Sequence, residues 1–183
     1  MPLDETHGLN NMNRPSQAFL WEVQKRGVEY DVVLVMSGLD ICNRAGSYDQ
    51  PLSCSPVGVA QNLVSSWPFF REHSCTHKTA LIEVANPNET VSMWLTAVAT
   101  AHEIVHLIGT TQHDGEDDYY GRGPGGQNCR GENGHIMSHG SLYRLCKDYE
   151  PWSECTIEQV KFYTADWTIF CPGTTKSLSI LNS

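Results

Sequence analysis

No stretch of this sequence approaches the roughly 18 consecutive apolar residues that a membrane-crossing helix needs. No two of its seven cysteines stand in a CxxC pair, which argues against a cysteine zinc cluster or a thioredoxin-like motif. No internal repeat is visible. The opening residues, MPLDETHGLNNMNRPS, contain no apolar region of the kind that makes a secretory signal. Basic side chains are scarce, 12 against 21 acidic ones, for a net charge of −9. That balance disfavours nonspecific nucleic-acid binding and adsorption to anionic membranes. Neither a nucleic acid nor a membrane span is therefore expected, and the oligomeric state is not legible.

What remains is the composition of a folded chain. It has 183 residues, 40% of them hydrophobic and 18% charged, enough for one domain with a real core. Cys42, Cys54, Cys75, Cys129, Cys146, Cys155 and Cys171 are scattered, and cysteines at this density read as disulfides in an oxidising compartment. The odd number leaves one unmatched within the chain. Without a leader, either the protein stays inside the cell or its natural N-terminus lies upstream of Met1, and the motifs described below favour the second.

Along the chain, residues 1–15 read as a loop. A helix is expected over SQAFLWEVQKR from Ser16, stopping at Gly27. Tyr30 to Met36, YDVVLVM, reads as a strand buried on both faces. VGVAQNLV, within the irregular 37–78 region, is open between short helix and strand. Thr79 to Ala85 reads as a short strand, and Asn88-Glu89-Thr90 is a glycosylation sequon if the chain is secreted. VSMWLTAVATAHEIVHLIG is a long helix, with Val98, Ala101, Val105 and Ile108 on one stripe, His102 and His106 on another, and Gly109 as its stop. Residues 110–151 form a glycine-rich loop region, and Thr156 with Gln159 matches a capping box opening the helix TIEQVKFYTADWTIF.

The chemistry is concentrated in HEIVH, residues 102–106. Histidines at i and i+4 project from one helical face and can share one Zn²⁺ at about 2.0–2.1 Å. Glu103 can reach a metal-bound water without itself ligating, and zinc lowers that water's pKa to about 7. A carboxylate there is a general base for attack on a carbonyl. The competing reading is two surface histidines beside a surface glutamate. The flanks weigh against it. Gly109 can turn the chain, and His113 follows as a third donor in HEIVHLIGTTQHD.

HEIVHLIGTTQHD followed by HIMS at 135–138 resembles the metzincin zinc proteases, whose signature is H-E-x-x-H-x-x-G-x-x-H and a later Met-turn. Asp114 and the segment PWSECTIEQVKFY resemble the reprolysin branch (adamalysins and ADAMs), most like secreted salivary and venom metalloproteases of arthropods. The resemblance implies an α/β fold of the zincin type. It has a mixed sheet, flanking helices and an irregular C-terminal part, here N-terminally truncated. One catalytic domain would cover 1–183, with residues 1–109 above a cleft and 110–183 below it. The resemblance further implies Zn²⁺ held by His102, His106 and His113, Glu103 as the catalytic base, and Met137 as the floor of the Met-turn. Thr79 to Ala85 would be the edge strand that pairs antiparallel with extracellular protein or peptide substrates. It implies Cys75–Cys171 and Cys129–Cys155 disulfides; Cys42–Cys54 is a guess, leaving Cys146.

Three residues, Thr110, Thr111 and Gln112, separate Gly109 from His113 where the family has two, so in the family register Gln112 takes the ligand position and a bulge must deliver His113. Two rivals stay open: a catalytically impaired binding or toxin-like protein of the same fold, and a zincin whose third ligand is a downstream Glu132. His135 and His139 read as loop residues, and Glu116, Asp117 and Asp118 as a solvated acidic loop.

Overall fold

The computed structural model describes residues 22, 25–27, 32–38, 43–44, 52–53, 58–60, 79–84, 90–108, 110, 113–117, 123–131, 134–138 and 151–165. It is a mixed α/β fold. β1 (Val33–Ser37) runs parallel to β5 (Thr79–Glu83), with Val33 opposite Thr79 and Ser37 opposite Glu83. β4 (Gly58–Ala60) lies antiparallel on the other side of β5, so the sheet order is β1-β5-β4. The Val84 N–H donates to the Ser37 carbonyl at 2.7 Å and carries the β1–β5 ladder one step further. β2 (Asn43–Arg44) and β3 (Leu52–Ser53) form a separate antiparallel pair.

Two strand expectations change. β5 was expected at an edge, yet it is central, held by β1 and β4, with Thr79, Ala80 and Ile82 buried. Among the described residues the edge is taken by β4, and part of VGVAQNLV is strand. Three residues are too few to show a period, which is why the pattern left this segment open. β1 was expected to be covered on both faces, but Met36 is 55% exposed and Leu34 and Val35 are only half-buried. An unbroken apolar run fixes neither the number of covered faces nor the number of neighbours; among the described residues β1 is laddered to β5 alone.

α1 spans Thr90–Ile108. Its buried side is broader than the expected stripe: Val98, Ala99, His102, Glu103, Val105 and Leu107 are buried, while Ala101 and Ile108 are half-buried. The Thr110 N–H donates to the Val105 carbonyl at 3.1 Å, the long bond of a Schellman cap. Gly109, the expected stop, lies outside the described residues.

α2 spans Glu154–Ala165 and starts earlier than the capping-box reading placed it. The cap is Ser153, whose Oγ accepts the Thr156 N–H at 3.1 Å while its carbonyl accepts the Ile157 N–H. Thr156 and Gln159 are instead buried inside the first turns. Of the expected N-terminal helix, the described part ends as read: Arg26 N–H bonds back to the Glu22 carbonyl, and Gly27 has φ +65°.

The described residues fall into two compact units, one within Met1–Ala60 and Thr79–Glu103, the other within Gln61–Lys78 and Ile104–Ser183. α1 is continuous through the division. In the second unit, Cys129 and Cys155 form the disulfide that the resemblance implied, with Cα atoms 6.0 Å apart. The other five cysteines, Asn88, Gln112, Glu132 and His139 lie outside the described residues.

Candidate metal centre

His102, His106 and His113 bring one ring nitrogen each to within 4.8 Å of the others. The helical repeat explains the first two: four residues are slightly more than one turn, so both rings leave α1 on the same side. His113 comes from the following loop, and that loop is tightly built. His113 and Glu116 close a turn, the Glu116 N–H donating to the His113 carbonyl at 3.1 Å. Asp114 and Gly115 occupy its centre, and the φ of +89° at Gly115 is the signature of a type II turn, which favours glycine at that position.

Next, Gly115 N–H donates to the Gly126 carbonyl and Gly126 N–H returns to the Glu116 carbonyl, both at 2.8 Å. Gly126 passes so close to the His113 carbonyl that a Cβ there would collide with it. Asp114, 1% exposed, is the hub beneath the loop. Its N–H donates to the Met137 carbonyl at 3.0 Å. Its carboxylate accepts the hydroxyls of Ser138 at 3.2 Å, of Thr156 at 3.5 Å, and of Ser153 at a shorter distance. Met137 is fully buried in a turn closed by Ser138 N–H to the His135 carbonyl, and the Asp114–Met137 bond ties this turn to the loop that carries His113.

The ring nitrogens are oriented by their partners. His106 Nδ1 lies 2.6 Å from the Thr110 carbonyl, which can only accept, so Nδ1 carries the proton. His113 Nδ1 lies 3.1 Å from the Glu116 carboxylate and donates in the same way. Each of these two rings presents its Nε2 to the other. Those two Nε2 atoms face each other at 3.3 Å with the rings edge to face. Two nitrogens on a tetrahedral Zn²⁺ stand about 3.3–3.4 Å apart, given metal–nitrogen distances of about 2.0–2.1 Å. The donor set therefore fits a zinc ion.

Glu103, the expected base, is buried in the first unit. Burial pushes its carboxyl up from 4.5 to about 7, and a hydrogen bond from the Ala60 backbone works in the opposite direction. Gly58, at the start of the same strand, gives it room. A Cβ at Gly58 would meet Glu103 Oε1 at 2.7 Å and Cγ at 2.8 Å. The sequence reading missed this contact between β4 and the glutamate, because nothing local links positions 58–60 to 103. It also placed Glu116 in a solvated acidic loop, whereas Glu116 is half-buried and bonded to His113. His135 takes no place in the histidine group.

No family model matches the sequence. The chain is similar to a silkworm metalloproteinase-like protein. That protein, from Bombyx mori, is named "A disintegrin and metalloproteinase with thrombospondin motifs like" and is 28% identical over 173 residues. The match covers 92% of this chain and 22% of the relative, so the chain spans about a fifth of the length of the curated protein it matches. The name speaks of a metalloproteinase, the class of chemistry that the three convergent histidines also support. Among the described residues, no helix is long and apolar enough to cross a membrane.

Proposed function

We propose that this chain is a zinc-dependent endopeptidase of the reprolysin type, acting on protein or peptide substrates outside the cell. The observation that carries the reading is the convergence of His102, His106 and His113, whose ligand atoms lie within 4.8 Å of one another, with the Nε2 atoms of His106 and His113 3.3 Å apart. His102, His106 and His113 are the ligands. A bound Zn²⁺ supplies a Lewis acid that polarises the scissile carbonyl and acidifies water. Glu103 accepts the proton of the attacking water at its carboxylate and delivers it to the departing amine.

In this reading the substrate strand lies along β4, since β5 already has a neighbour on each side. The close approach of Gly58 and Ala60 to Glu103 would bring that edge and the base together. The resemblance to arthropod salivary and venom proteases, and the silkworm relative, favour secretion.

The test is metal content against turnover. The purified chain should carry one zinc per molecule and cleave casein. His113→Ala should lose most of the metal, and Glu103→Gln should keep it and lose cleavage. A parent chain that binds zinc through all three histidines yet cleaves nothing would favour the impaired, binding-protein alternative.

A further inference from the structure

Glu116 makes two bonds to one residue through one oxygen. Its Oε2 accepts the His113 backbone N–H at 2.9 Å and lies 3.1 Å from His113 Nδ1. Its own N–H returns to the His113 carbonyl at 3.1 Å. Main chain and ring of the third histidine are thus gripped from the C-terminal side by a residue three positions on. The side chains are partly covered, 25% exposed for His113 and 34% for Glu116, so the contact is more than a surface ion pair.

From this, and resting on the zinc reading above, we infer that Glu116 is a positioning residue. It acts as a hydrogen-bond acceptor that sets the direction and tautomer of His113, so that Nε2 points at the other two histidines. His106 gets the same service from the Thr110 carbonyl, which is part of its own helix cap. His113 has no helix to orient it. The grip of Glu116 on its main chain and ring does so instead. Partners of this kind behind a metal-bound imidazole are worth roughly 10–100-fold in metal affinity.

Reach and charge can be told apart. Glu116→Gln keeps the carbonyl acceptor at the same length and loses the charge. Glu116→Asp keeps the charge and withdraws the acceptor by one methylene. Zinc affinity of the full chain is measured by competition with a chromogenic chelator, and the Co²⁺-substituted protein is compared by its visible absorption, which reports ligand geometry without any substrate. Glu116→Gln should bind zinc within about threefold of the parent with an unchanged cobalt spectrum. Glu116→Asp and Glu116→Ala should bind about 10–100-fold more weakly with an altered spectrum. The inference is overturned if all three match the parent, or if Glu116→Asp matches it while Glu116→Gln is weakened. If Glu116→Ala does not fold, the Gln and Asp pair still decides. Failure of the underlying zinc reading looks different: the parent itself would bind no zinc, or His113→Ala would bind as well as the parent.

Discussion

The buried carboxylate of Asp114 accepts a hydrogen bond from Ser153, a residue 39 positions later that also caps α2. One side chain thus links the loop that carries the third histidine to the start of the last helix. The same carboxylate accepts from Ser138 beside Met137, so three separate segments meet at one charge.

That junction can be measured. Hydrogen bonds to a charged group contribute about 1.5–3 kcal/mol each, and a buried donor left without its partner costs more. Asp114→Ala should lower unfolding stability by about 3 kcal/mol or more, and Asp114→Asn by less, since the amide oxygen still accepts. In a double-mutant cycle, Asp114→Ala and Ser153→Ala should fall short of additivity by at least about 1 kcal/mol in urea melts. Additive losses would mean that the contact is incidental.

Glu103 makes stability depend on pH in a defined direction. Its folded pKa, about 7, lies above the ordinary 4.5. The native state therefore holds the proton more tightly than the unfolded chain does. Stability is greatest below 4.5 and falls as pH rises through 4.5 to 7, by about 3 kcal/mol in total at roughly 1.4 kcal/mol per unit. EDTA-treated protein should follow that slope in urea melts between pH 4.5 and 8. Glu103→Gln, which has nothing to ionise, should flatten it and be the more stable of the two at pH 8. Parallel slopes for both proteins would show that this carboxyl is not the cause.

Gly58→Ala should act on catalysis without touching the metal. The new methyl group would sit 2.7–2.8 Å from Glu103 atoms, and the carboxylate must move aside. Displacement of a reacting group by about 1 Å can cost 10²-fold in rate. Zinc content should remain at the parent level while kcat falls by about 10–100-fold. An active Gly58→Ala would detach β4 from the base.

Gly126→Ala should act on the metal instead. The obstacle there is the His113 backbone carbonyl, which cannot swing away as a side-chain tip can. Overpacking of this kind costs about 1–3 kcal/mol, and here the displaced atoms belong to the third histidine. Lower thermal stability and weaker zinc retention under chelator challenge should appear together. A variant melting with the parent and holding zinc as tightly would refute the steric argument.

How much was legible in the sequence follows from range. His102 and His106 converge because helix geometry is local, and HEIVH states it within five letters. The Cys129–Cys155 bridge and the buried Met137 were reached through resemblance, not through any local pattern. β4 escaped because three residues carry no period, and its neighbour to be, Glu103, is more than forty positions away. The α2 cap was misread because Thr156 and Gln159 match a capping box as letters, whereas the fold gives the cap to Ser153 and uses Thr156 to reach Asp114. Glu116 sits in an acidic run that composition alone assigns to water; its bond to His113 depends on the type II turn that Gly115 allows.

The long reach of the Asp114 junction has a consequence for biosynthesis. On the ribosome the helix with His102 and His106 emerges before the rest of the centre, and the Asp114 junction beneath the His113 loop cannot close until Ser138, Ser153 and Cys155 have been made. Contacts so distant along the chain close late in folding. The nascent chain therefore presents its three histidines before the junction that underpins the third one can close, and that junction is complete only once the start of α2 has left the exit tunnel.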